Sequence, residues 1–543
     1  MDQRLLYRFK IADEEREFEQ IHRLNYRTFV DEIPQHESNA DRLLVDRFDP
    51  LNTYAVCETG DRVVGMLSVQ GRRPFSLDAK LAGLDSYLPP ERRVCEFRLL
   101  SVEPEHRNGA VFVGLMRFMA RHCFARGYDM AVISGSTRQL KLYRHLGFVP
   151  FGPLVGQAEA LFQPMYLTLE AFLEACGKLL QTPNASGDAR VNLLPGPVGI
   201  RDEIREALSD TPASHRSEAF VLRFQVTKRR LCRLVRARNV EIMLGSGTLA
   251  NDAVAAQLSL EDGPGLVLAN GEFGERLTDH ATRFGLDFEV LRLDWGAAFE
   301  REQLERAFSA RPRFAWMWAV HCETSTGVLN SLPLLQALAN ARGIRLCLDA
   351  ISSVGTVPVD LSSAYFATAV SGKGLGSFPG LSMVFYNHEL RPAPLKLPRY
   401  LDLGLYATSE GIPFTQSSNL HSALEKALDG AASGSFFDQL LKFSRELRGR
   451  MEDLGLTIVA PSDHASPAVI TLALPPAIQS DEAGARLEAA GYLVSYHSKY
   501  LLQRNWIQVC LMGEIERDKM PGLLAALAHL APPPRGIPAT GAA

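Results

Sequence analysis

The chain has 543 residues, a formal net charge of −4 at pH 7 and a hydrophobic content of 46%. A chain of this length exceeds what one hydrophobic core supports, so we expect two to four domains. The charge balance lacks the basic excess that nucleic-acid binding requires, and no apolar run in the sequence has the length of a membrane span. We therefore predict no nucleic-acid partner and no membrane span.

The eight cysteines occur singly, without CxxC pairs or the spacing of metal ligands. This pattern is typical of reduced thiols, so we expect a cytoplasmic location and no metal site. The first residues, Met-Asp-Gln-Arg, lack the apolar stretch of a signal peptide, and we expect none.

The clearest break in the sequence is the polar segment 181–189, which contains Gly, Pro and Ser and follows a helical pattern over residues 169–180. It separates a first part the size of one domain from a larger second part. We predict a first domain at 1–178, a linker at 179–190, a large domain at 191–440, a small domain at 441–531 and a disordered tail at 532–543.

In the first part, strand and helix patterns alternate. The sequence predicts strands at 54–58 and 62–69 joined by a turn at 59–61, a strand at 93–102, a helix at 111–126 that Gly127 ends, a strand at 129–134 and a short helix at 139–146. The turn 103–109 lies between a strand and a helix, where exposed backbone N–H groups can bind a pyrophosphate or phosphopantetheine arm.

These segments resemble the GNAT acyltransferase superfamily over residues 5–169. The stretch Leu-Asn-Tyr-Arg-Thr-Phe-Val at 24–30 and the strand with Glu96 and Arg98 are most similar to the acyl-homoserine-lactone synthase and N-acyl amino acid synthase branch. The resemblance implies that Tyr143 is the general acid for the leaving thiolate and Glu96 the base for the acceptor amine. It also implies a thioester donor, either acyl-CoA or acyl carrier protein.

The residues themselves leave other roles open for this domain. Tyr143 could pack in the core, and Glu96 could form a structural ion pair with Arg98. His-Arg-Asn-Gly-Ala-Val at 106–111 fits the superfamily's Gln/Arg-x-x-Gly-x-Gly/Ala signature only loosely. A degenerate domain without catalytic activity is therefore the alternative.

The second part alternates helix and strand patterns throughout. A helix is predicted at 248–260, and apolar strands are predicted at 265–269, 288–293, 314–320, 344–349 and 366–370. This alternation predicts a mostly parallel sheet with helices on both faces. From about residue 445 the pattern changes to a small α+β unit with strands at 468–474 and 506–512.

Lys373 stands between two apolar runs, 366–370 and 381–386, in the small-residue stretch Ser-Gly-Lys-Gly. Burying an ammonium is costly, and burial lowers the pKa of a lysine so that its free amine can form a Schiff base. Asp349 ends the predicted strand 344–349, and strand ends carry ligands in open α/β sheets. A Schiff-base lysine and an aspartate for the pyridinium nitrogen are what pyridoxal phosphate requires. Alone, the pair is equally compatible with a surface lysine in a Gly-rich turn.

Three further features precede this pair along the chain. Gly-Ser-Gly-Thr at 245–248 opens a helix that favours a phosphate through its N–H groups and dipole, although an ordinary N-cap has the same composition. Phe273 could stack on a flat ring or pack in the core. The hydroxyl-rich loop 321–327 follows an apolar strand, as site loops commonly do. The joint order of these features favours a cofactor site.

Residues 192–530 resemble fold-type I, class V aminotransferases, and most closely the 2-aminoethylphosphonate–pyruvate and alanine–glyoxylate aminotransferase group. The matching segments are Leu-Leu-Pro-Gly-Pro-Val at 193–198, His-Cys-Glu-Thr-Ser-Thr-Gly-Val-Leu-Asn at 321–330, Leu-Asp-Ala-Ile-Ser-Ser-Val-Gly at 348–355 and Ser-Gly-Lys-Gly at 371–374. The expected fold class is therefore α/β. A GNAT-like α+β domain precedes a fold-type I enzyme with a large, mostly parallel α/β domain and a small α+β domain.

The resemblance assigns roles to individual residues. It implies that Lys373 binds the cofactor and moves the proton, and that Asp349 pairs with the pyridinium nitrogen. The other implied cofactor positions are Ser246, Gly247 and Thr248 at the phosphate, Phe273 on the ring and Thr324 near the ring hydroxyl. Thr415 would reach the phosphate of a neighbouring subunit, which implies a homodimer. Gln416 and Ser417 replace the prolines that the family has after this threonine.

One departure from the family concerns the substrate. Gln508 stands where the family has the arginine that binds the substrate carboxylate, so we predict Gln508 and Arg504 as substrate-binding residues. A neutral amide lacks the charged, bidentate grip of a guanidinium. Either Arg504 or Lys499 reaches the substrate, or the small-molecule amino substrate is an amine, an ester or a carrier-bound aminoacyl group. Decarboxylation, β-elimination or retro-aldol chemistry with the same cofactor is a further alternative to transamination.

The sequence thus predicts a bifunctional biosynthetic enzyme that couples aminotransferase-like chemistry on an amino compound to N-acyl transfer. The alternative is a transaminase or lyase whose first domain is a non-catalytic adaptor for an acyl carrier or partner. A non-enzymatic regulator that binds pyridoxal phosphate is a third interpretation, and the sequence offers it neither a DNA-binding motif nor a basic patch.

Overall fold

The computed structural model describes residues 7–33, 36–107, 109–157, 160–172, 175, 190–311, 313–430 and 434–530. The chain divides into two compact units, Met1–Asp188 and Ala189–Ala543, which we call the N-terminal and the C-terminal unit. This division lies inside the predicted linker 179–190. Residues 179–189 of that linker and the predicted tail 532–543 lie outside the described residues. Among the helices described, none is both long and apolar enough to cross a membrane.

The N-terminal unit contains a sheet with helices packed against it. Its strands are β1 (Arg8–Ile11), β2 (Asn52–Thr59), β3 (Arg62–Gln70), β4 (Val94–Val102), β5 (Met130–Ser136), β6 (Val149–Pro150), β7 (Val155–Gln157) and β8 (Ala160–Thr168). Its helices are α1 (Glu15–Tyr26), α2 (Ala110–Ala125) and α3 (Leu140–His145). These bounds agree closely with the patterns predicted from the sequence for β2 to β5, α2 and α3.

The sheet of this unit opens between two neighbouring strands. The strand order is β1-β2-β3-β4-β5-β8-β6, with β7 paired to β8, and β4 and β5 are parallel. Their ladder joins residues 94–96 to residues 130–132 and, in the described residues, extends no further. At the next residues β4 bulges: Leu99 has a φ of 55°, and the register against β3 shifts between Met66 and Ser68. The carboxyl ends of β4 and β5 therefore leave a gap in the sheet.

The two faces of this sheet have different neighbours, because side chains alternate along each strand. Ala131 packs with residues of α2, and we call this side the helix face. Glu96 is paired with Val132, so both lie on the opposite side, as does Ser134 two residues further along β5. Val132 packs there against apolar side chains of the segment 75–84, and we call this side the loop face.

The C-terminal unit contains the larger sheet. Its strands are β9 (Val191–Leu193), β10 (Asn239–Gly245), β11 (Gly265–Ala269), β12 (Phe288–Arg292), β13 (Trp316–Val320), β14 (Cys322–Glu323), β15 (Val328–Leu329), β16 (Arg345–Asp349), β17 (Phe366–Val370), β18 (Gly380–Tyr386), β19 (Thr457–Ile458), β20 (Val469–Ala473), β21 (Tyr492–Val494) and β22 (Trp506–Cys510).

Helices connect most of these strands. They are α4 (Asp202–Leu208), α5 (Glu218–Val235), α6 (Gly247–Leu258), α7 (Glu272–Arg283), α8 (Arg301–Ala310), α9 (Leu332–Arg342), α10 (Leu403–Thr408), α11 (Ser418–Gly430), α12 (Gly434–Asp453), α13 (Ser480–Ala489), α14 (Lys499–Arg504) and α15 (Met520–Ala528).

The seven-stranded sheet has the order β10-β18-β17-β16-β13-β11-β12. Strand β18 is antiparallel to both neighbours, and the pairs from β17 to β12 are parallel. One apolar cluster packs α5 and α9 against the sheet, and a second packs α6 and α7. The predicted mostly parallel α/β fold with helices on both faces is confirmed. The carboxyl ends of the parallel strands lie at one edge, where α/β enzymes bind ligands.

A second core lies in the C-terminal region, around the sheet β19-β20-β22. Helix α12 spans the predicted boundary at 440, and its Leu440, Leu447 and Met451 all pack in this core. Strand β9, near the start of the unit, pairs with β21, and its Val191 and Leu193 are buried in the same core. Apolar burial thus groups β9 and all of α12 with the smaller region, unlike the division drawn from sequence at 191–440 and 441–531.

Candidate active site

Lys373 lies in the loop between β17 and β18. Its Nζ donates a hydrogen bond to Ser352 Oγ at 2.9 Å, and Ser352 Oγ lies 2.5 Å from Thr324 Oγ1. Burial lowers the pKa of Lys373 below its usual value, although Asp349 and neighbouring acidic groups oppose the shift. A larger fraction of this lysine is therefore the neutral, nucleophilic amine at a given pH.

Asp349 is buried at the carboxyl end of β16. Its Oδ2 accepts from Asn251 Nδ2 at 2.9 Å, and its Oδ1 accepts from the backbone N–H of Ile351 at 3.0 Å. Asn251 is itself fixed, because its Oδ1 accepts from Thr368 Oγ1 at 2.9 Å. The chain Thr368–Asn251–Asp349 orients the carboxylate. Asn251 was not among the predicted site residues, although it lies four residues after Gly247 and therefore on the same face of α6.

The predicted phosphate cradle forms the start of α6. Ser246 is the N-cap residue, and its side chain makes no capping hydrogen bond. Ser246 and Thr248 are both exposed. A Cβ on Gly247 would lie 2.5 Å from Ile351 Cδ1 and 3.3 Å from Val370 Cγ1, so a larger residue there would force the Ile351 side chain to move. An open helix start with a free hydroxyl and close backbone packing fits a phosphate group.

Phe273 lies in the first turn of α7, and its ring centroid is 5.2 Å from Lys373 Nζ. Glu323 is fully buried beneath this helix start and accepts from the N–H groups of Phe273 at 3.3 Å and Gly274 at 3.0 Å. Burial raises the pKa of Glu323, while these hydrogen bonds oppose the shift. Glu323 therefore caps α7 and holds Phe273 beside Lys373. Glu323 was not among the site residues predicted from the sequence.

Gln508 does not offer its amide to a substrate. Its side chain is fully buried, and its Nε2 donates to Thr324 O at 2.5 Å, Ser325 O at 3.1 Å and Thr471 Oγ1 at 2.9 Å. Its Oε1 accepts from Tyr500 OH at 3.1 Å. The amide is saturated by these bonds, which tie β22 to the loop that carries Thr324. The prediction that Gln508 contacts the substrate is therefore not supported by the geometry.

Arg504 and Lys499 were the predicted replacements for the missing arginine. The Arg504 guanidinium lies 3.6 Å from the Trp295 ring centroid and 5.6 Å from that of Trp506. This stacking is a cation–π arrangement that fixes the side chain against two indoles. Lys499 is exposed at the first position of α14. Neither residue has a recorded contact with Lys373 among the described residues.

Thr415 is exposed on the segment that precedes α11. The following residue, Gln416, is buried, and its Nε2 donates to Ile242 O at 3.2 Å. The amide thus anchors the segment to β10 where the family has proline, and leaves Thr415 at the surface. Its predicted contact with a second subunit stays a prediction.

In the N-terminal unit, Tyr143 lies on the helix face. A Cβ on Gly135 of β5 would be 3.1 Å from two atoms of the Tyr143 ring, so the ring packs directly under this glycine. Burial raises the pKa of Tyr143, partly offset by a hydrogen bond from the backbone of Ser136. The phenol therefore keeps its proton at neutral pH, as a general acid requires.

The Glu96 carboxylate is hydrogen-bonded within the protein. It is fully buried, and its carboxylate accepts from Ser76 N at 2.7 Å, Ser76 Oγ at 2.7 Å and Leu77 N at 3.0 Å. Arg98 lies 3.8 Å away, but it is held by Asp46 through two hydrogen bonds of 2.7 and 2.8 Å. The carboxylate that was predicted to be a base therefore anchors the segment after β3. The ion pair with Arg98 suggested as an alternative is secondary.

Comparison with known proteins finds a match for each unit. The family model N-acyl amino acid synthase FeeM matches residues 20–168, and the model for class-V aminotransferases matches residues 206–397. A 2-aminoethylphosphonate–pyruvate transaminase of Pseudomonas fluorescens (strain Pf-5) is 30% identical over 300 residues, which cover 53% of this chain and 81% of that protein.

Solved structures show the same relationship. An alanine–glyoxylate aminotransferase from Nostoc sp. has a TM-score of 0.58 and 27% identity, covering 65% of this chain and 98% of its own. An aspartate aminotransferase of subgroup IV from Thermus thermophilus has a TM-score of 0.56 and 28% identity, covering 63% and 98%.

The protein is therefore a transferase with two parts of different ancestry. The chain belongs to the class-V aminotransferase family, and its N-terminal unit resembles the N-acyl amino acid synthases. The predicted resemblances and the fold-type I architecture are confirmed. Membership of the aminotransferase family implies pyridoxal phosphate as the cofactor.

Proposed function

We propose that the C-terminal unit is a pyridoxal phosphate-dependent transaminase for a small amino compound. The arrangement of Lys373 and Asp349 supports this most strongly: a desolvated amine and an oriented, buried carboxylate follow neighbouring strands. When bound, the cofactor would supply an electron sink for bonds at the carbon that bears the amino group. Lys373 would hold it and carry the transferred proton, with Ser352 and Thr324 fixing the Nζ position.

The other cofactor residues have distinct tasks in this proposal. Ser246, Gly247 and Thr248 would hold the phosphate at the start of α6, where the helix dipole favours an anion. Asp349, oriented by Asn251, would stabilise a protonated ring nitrogen. Phe273 would cover one ring face.

The substrate is a small amino compound. Residue 508 would not bind its carboxylate as the family's arginine does, because the Gln508 amide is hydrogen-bonded within the protein. The P. fluorescens relative is named for 2-aminoethylphosphonate and pyruvate, and these are the first pair to assay. Thr415, exposed in the single chain, would contact the cofactor phosphate of a second subunit, so the proposed assembly is a homodimer.

We propose that the N-terminal unit transfers an acyl group from a thioester, acyl-CoA or acyl carrier protein, to an amine. The amine nitrogen bonds to the acyl carbon, and the carbon–sulfur bond breaks. Tyr143 gives its proton to the departing thiolate and is reprotonated by the proton that nitrogen loses. The match to an N-acyl amino acid synthase and the protonated, half-buried phenol support this role. One chain would then process an amine in both units.

Two measurements test the C-terminal proposal. Protein incubated with pyridoxal phosphate should show a visible absorbance band, and borohydride reduction followed by peptide mass spectrometry should place the cofactor on Lys373. Lys373→Ala should lose both signals, whereas Lys442→Ala, which removes an exposed lysine of α12, should keep them. A band and a labelled peptide that survive in Lys373→Ala would show the proposal to be wrong.

A second candidate is that only the C-terminal unit is catalytic, as a transaminase or lyase, and the N-terminal unit docks an acyl carrier. The hydrogen bonds of Glu96 favour this candidate, since both of its carboxylate oxygens are already occupied by donors from Ser76 and Leu77. Mass spectrometry of products from amino compounds, pyruvate and acyl-thioesters separates the two. N-acyl products that Tyr143→Phe lowers strongly support acyl transfer, and their absence from the wild-type protein supports the adaptor.

A further inference from the structure

Lys80 lies on the loop face of the N-terminal unit, beside the carboxyl end of β5. Its Nζ donates to Ser134 Oγ at 3.3 Å and lies 4.9 Å from the centroid of the Phe162 ring. Both partners are neutral, and the described residues contain no carboxylate in an ion pair with this ammonium. Lys80 is exposed, so an anion from solvent can reach it.

Arg47 is a second cation without an ion pair among the described residues, and it is close enough for its charge to lower the pKa of Lys80. The Arg47 guanidinium stacks 4.6 Å from the centroid of the Phe48 ring, and Arg98 stacks 4.7 Å from the same ring. Arg98 is paired with Asp46 through two hydrogen bonds from its guanidinium. Arg47 is exposed and has no such partner, so its charge is free to act on a ligand.

The charges around Lys80 act together. Although Lys80 is exposed at the surface, partial desolvation by the surrounding protein lowers its pKa below its usual value, and the positive charges of Arg98 and Arg47 lower it further, while Glu96 and Asp46 oppose the shift. A partly desolvated ammonium near other cations is stabilised in its charged form by a bound anion.

The position of Lys80 relative to Tyr143 bears on acyl transfer. Tyr143 packs under Gly135 on the helix face, and Ser134, the partner of Lys80, is the preceding residue of β5 and points to the other side. The gap between β4 and β5 begins just before these residues. A group bound at Lys80 and a thiolate protonated by Tyr143 would therefore lie on opposite faces of the sheet and meet through this gap.

We propose that Lys80 and Arg47 form an anion-binding subsite for the acyl acceptor, which selects amines that carry a carboxylate or a phosphonate. This inference rests on the proposed acyl transfer. Anchoring the acidic group on the loop face leaves the amine of the same small molecule to enter the gap, where it meets the acyl carbon. Glu96, which lies on the same face, cannot take this role, because it is an anion and is saturated.

Binding of three product-like probes to the full-length protein tests the subsite. The probes share a dodecanoyl chain and differ in the head: N-dodecanoylglycine, N-dodecanoyl-2-aminoethylphosphonate and the neutral N-dodecanoylethanolamine. Calorimetric titration should show that the wild-type protein binds an anionic probe more tightly than the neutral one. Lys80→Met should weaken binding of the anionic probes by roughly tenfold, the loss expected for one charge-assisted hydrogen bond, and leave the neutral probe unchanged.

Control variants separate charge from structure. Lys80→Arg should retain most of the affinity for the anionic probes. Arg47→Ala should weaken binding of the anionic probes and leave binding of the neutral probe unchanged. Arg121→Ala removes an exposed cation from α2 on the helix face and should change nothing. The relative affinities of the glycine and phosphonate probes then identify which acid the subsite prefers.

Two outcomes would overturn the inference at different levels. If the wild-type protein binds all three probes equally, or if Lys80→Met weakens all three equally, the subsite is wrong while acyl transfer stands. If the wild-type protein binds none of the probes, the neutral one included, the proposed acyl transfer fails and the subsite fails with it.

Discussion

Replacing Gln508 by alanine tests whether this residue is a structural bridge. The substitution removes four hydrogen bonds and leaves the hydroxyls of Tyr500 and Thr471 without their recorded amide partner. A buried polar group left unsatisfied costs roughly 1–3 kcal/mol, and water that enters the new cavity recovers part of this. We expect a loss of about 3 kcal/mol in the free energy of unfolding of the C-terminal unit.

Tryptophan fluorescence during urea unfolding is the assay, because all four tryptophans of the chain lie in the C-terminal unit. Gln503→Ala, an exposed glutamine of α14, is the matched control and should change the free energy of unfolding by less than about 0.5 kcal/mol. Equal effects of the two alanine variants would refute the bridge. So would a Gln508→Arg variant that is as stable as wild type and gains activity on α-amino acids, since that arginine must find room and a charged partner.

Three further predictions concern the cofactor site. Asn251→Leu should leave Asp349 without its amide donor and weaken binding of pyridoxal phosphate about tenfold, measured by absorbance titration. Gly247→Val should weaken cofactor binding because its side chain would displace Ile351 and crowd Val370 at the start of α6, while far-UV circular dichroism stays unchanged. In the cofactor-free protein the depressed pKa of Lys373 means that the unfolded state binds the proton more tightly. Stability relative to Lys373→Met should therefore rise with pH as the pH approaches the usual lysine pKa of 10.5, and a flat difference between the two denaturation curves would contradict this.

The strands and the order of the cofactor segments could be predicted from the sequence for a local reason. Strands buried on both faces are continuous apolar runs, and parallel strands bring their carboxyl ends to one edge. Lys373, Asp349 and Phe273 each follow such a run, so their chain order already placed them at that edge. The same reasoning could not find Asn251 or Glu323, since each acts through a partner distant in sequence.

Residue type alone was misleading where hydrogen-bond partners decide the role. Gln508 and Glu96 looked like binding and catalytic groups, but both are saturated by donors or acceptors from other segments. Lys80 is the opposite case. It belongs to no sequence motif, and only the structure shows that it lies beside Ser134 and Phe162.

The sequence by itself determined the two families, the α/β architecture and the cofactor lysine, because these depend on periodic burial and on short motifs. Only the tertiary structure decided which polar side chains remain available to a ligand. A buried polar group must satisfy its hydrogen bonds, and the partners that do so arrive from elsewhere in the fold. Because of this requirement, Gln508 and Glu96 are occupied within the protein, whereas Lys373, Ser246 and Lys80 can still bind a ligand.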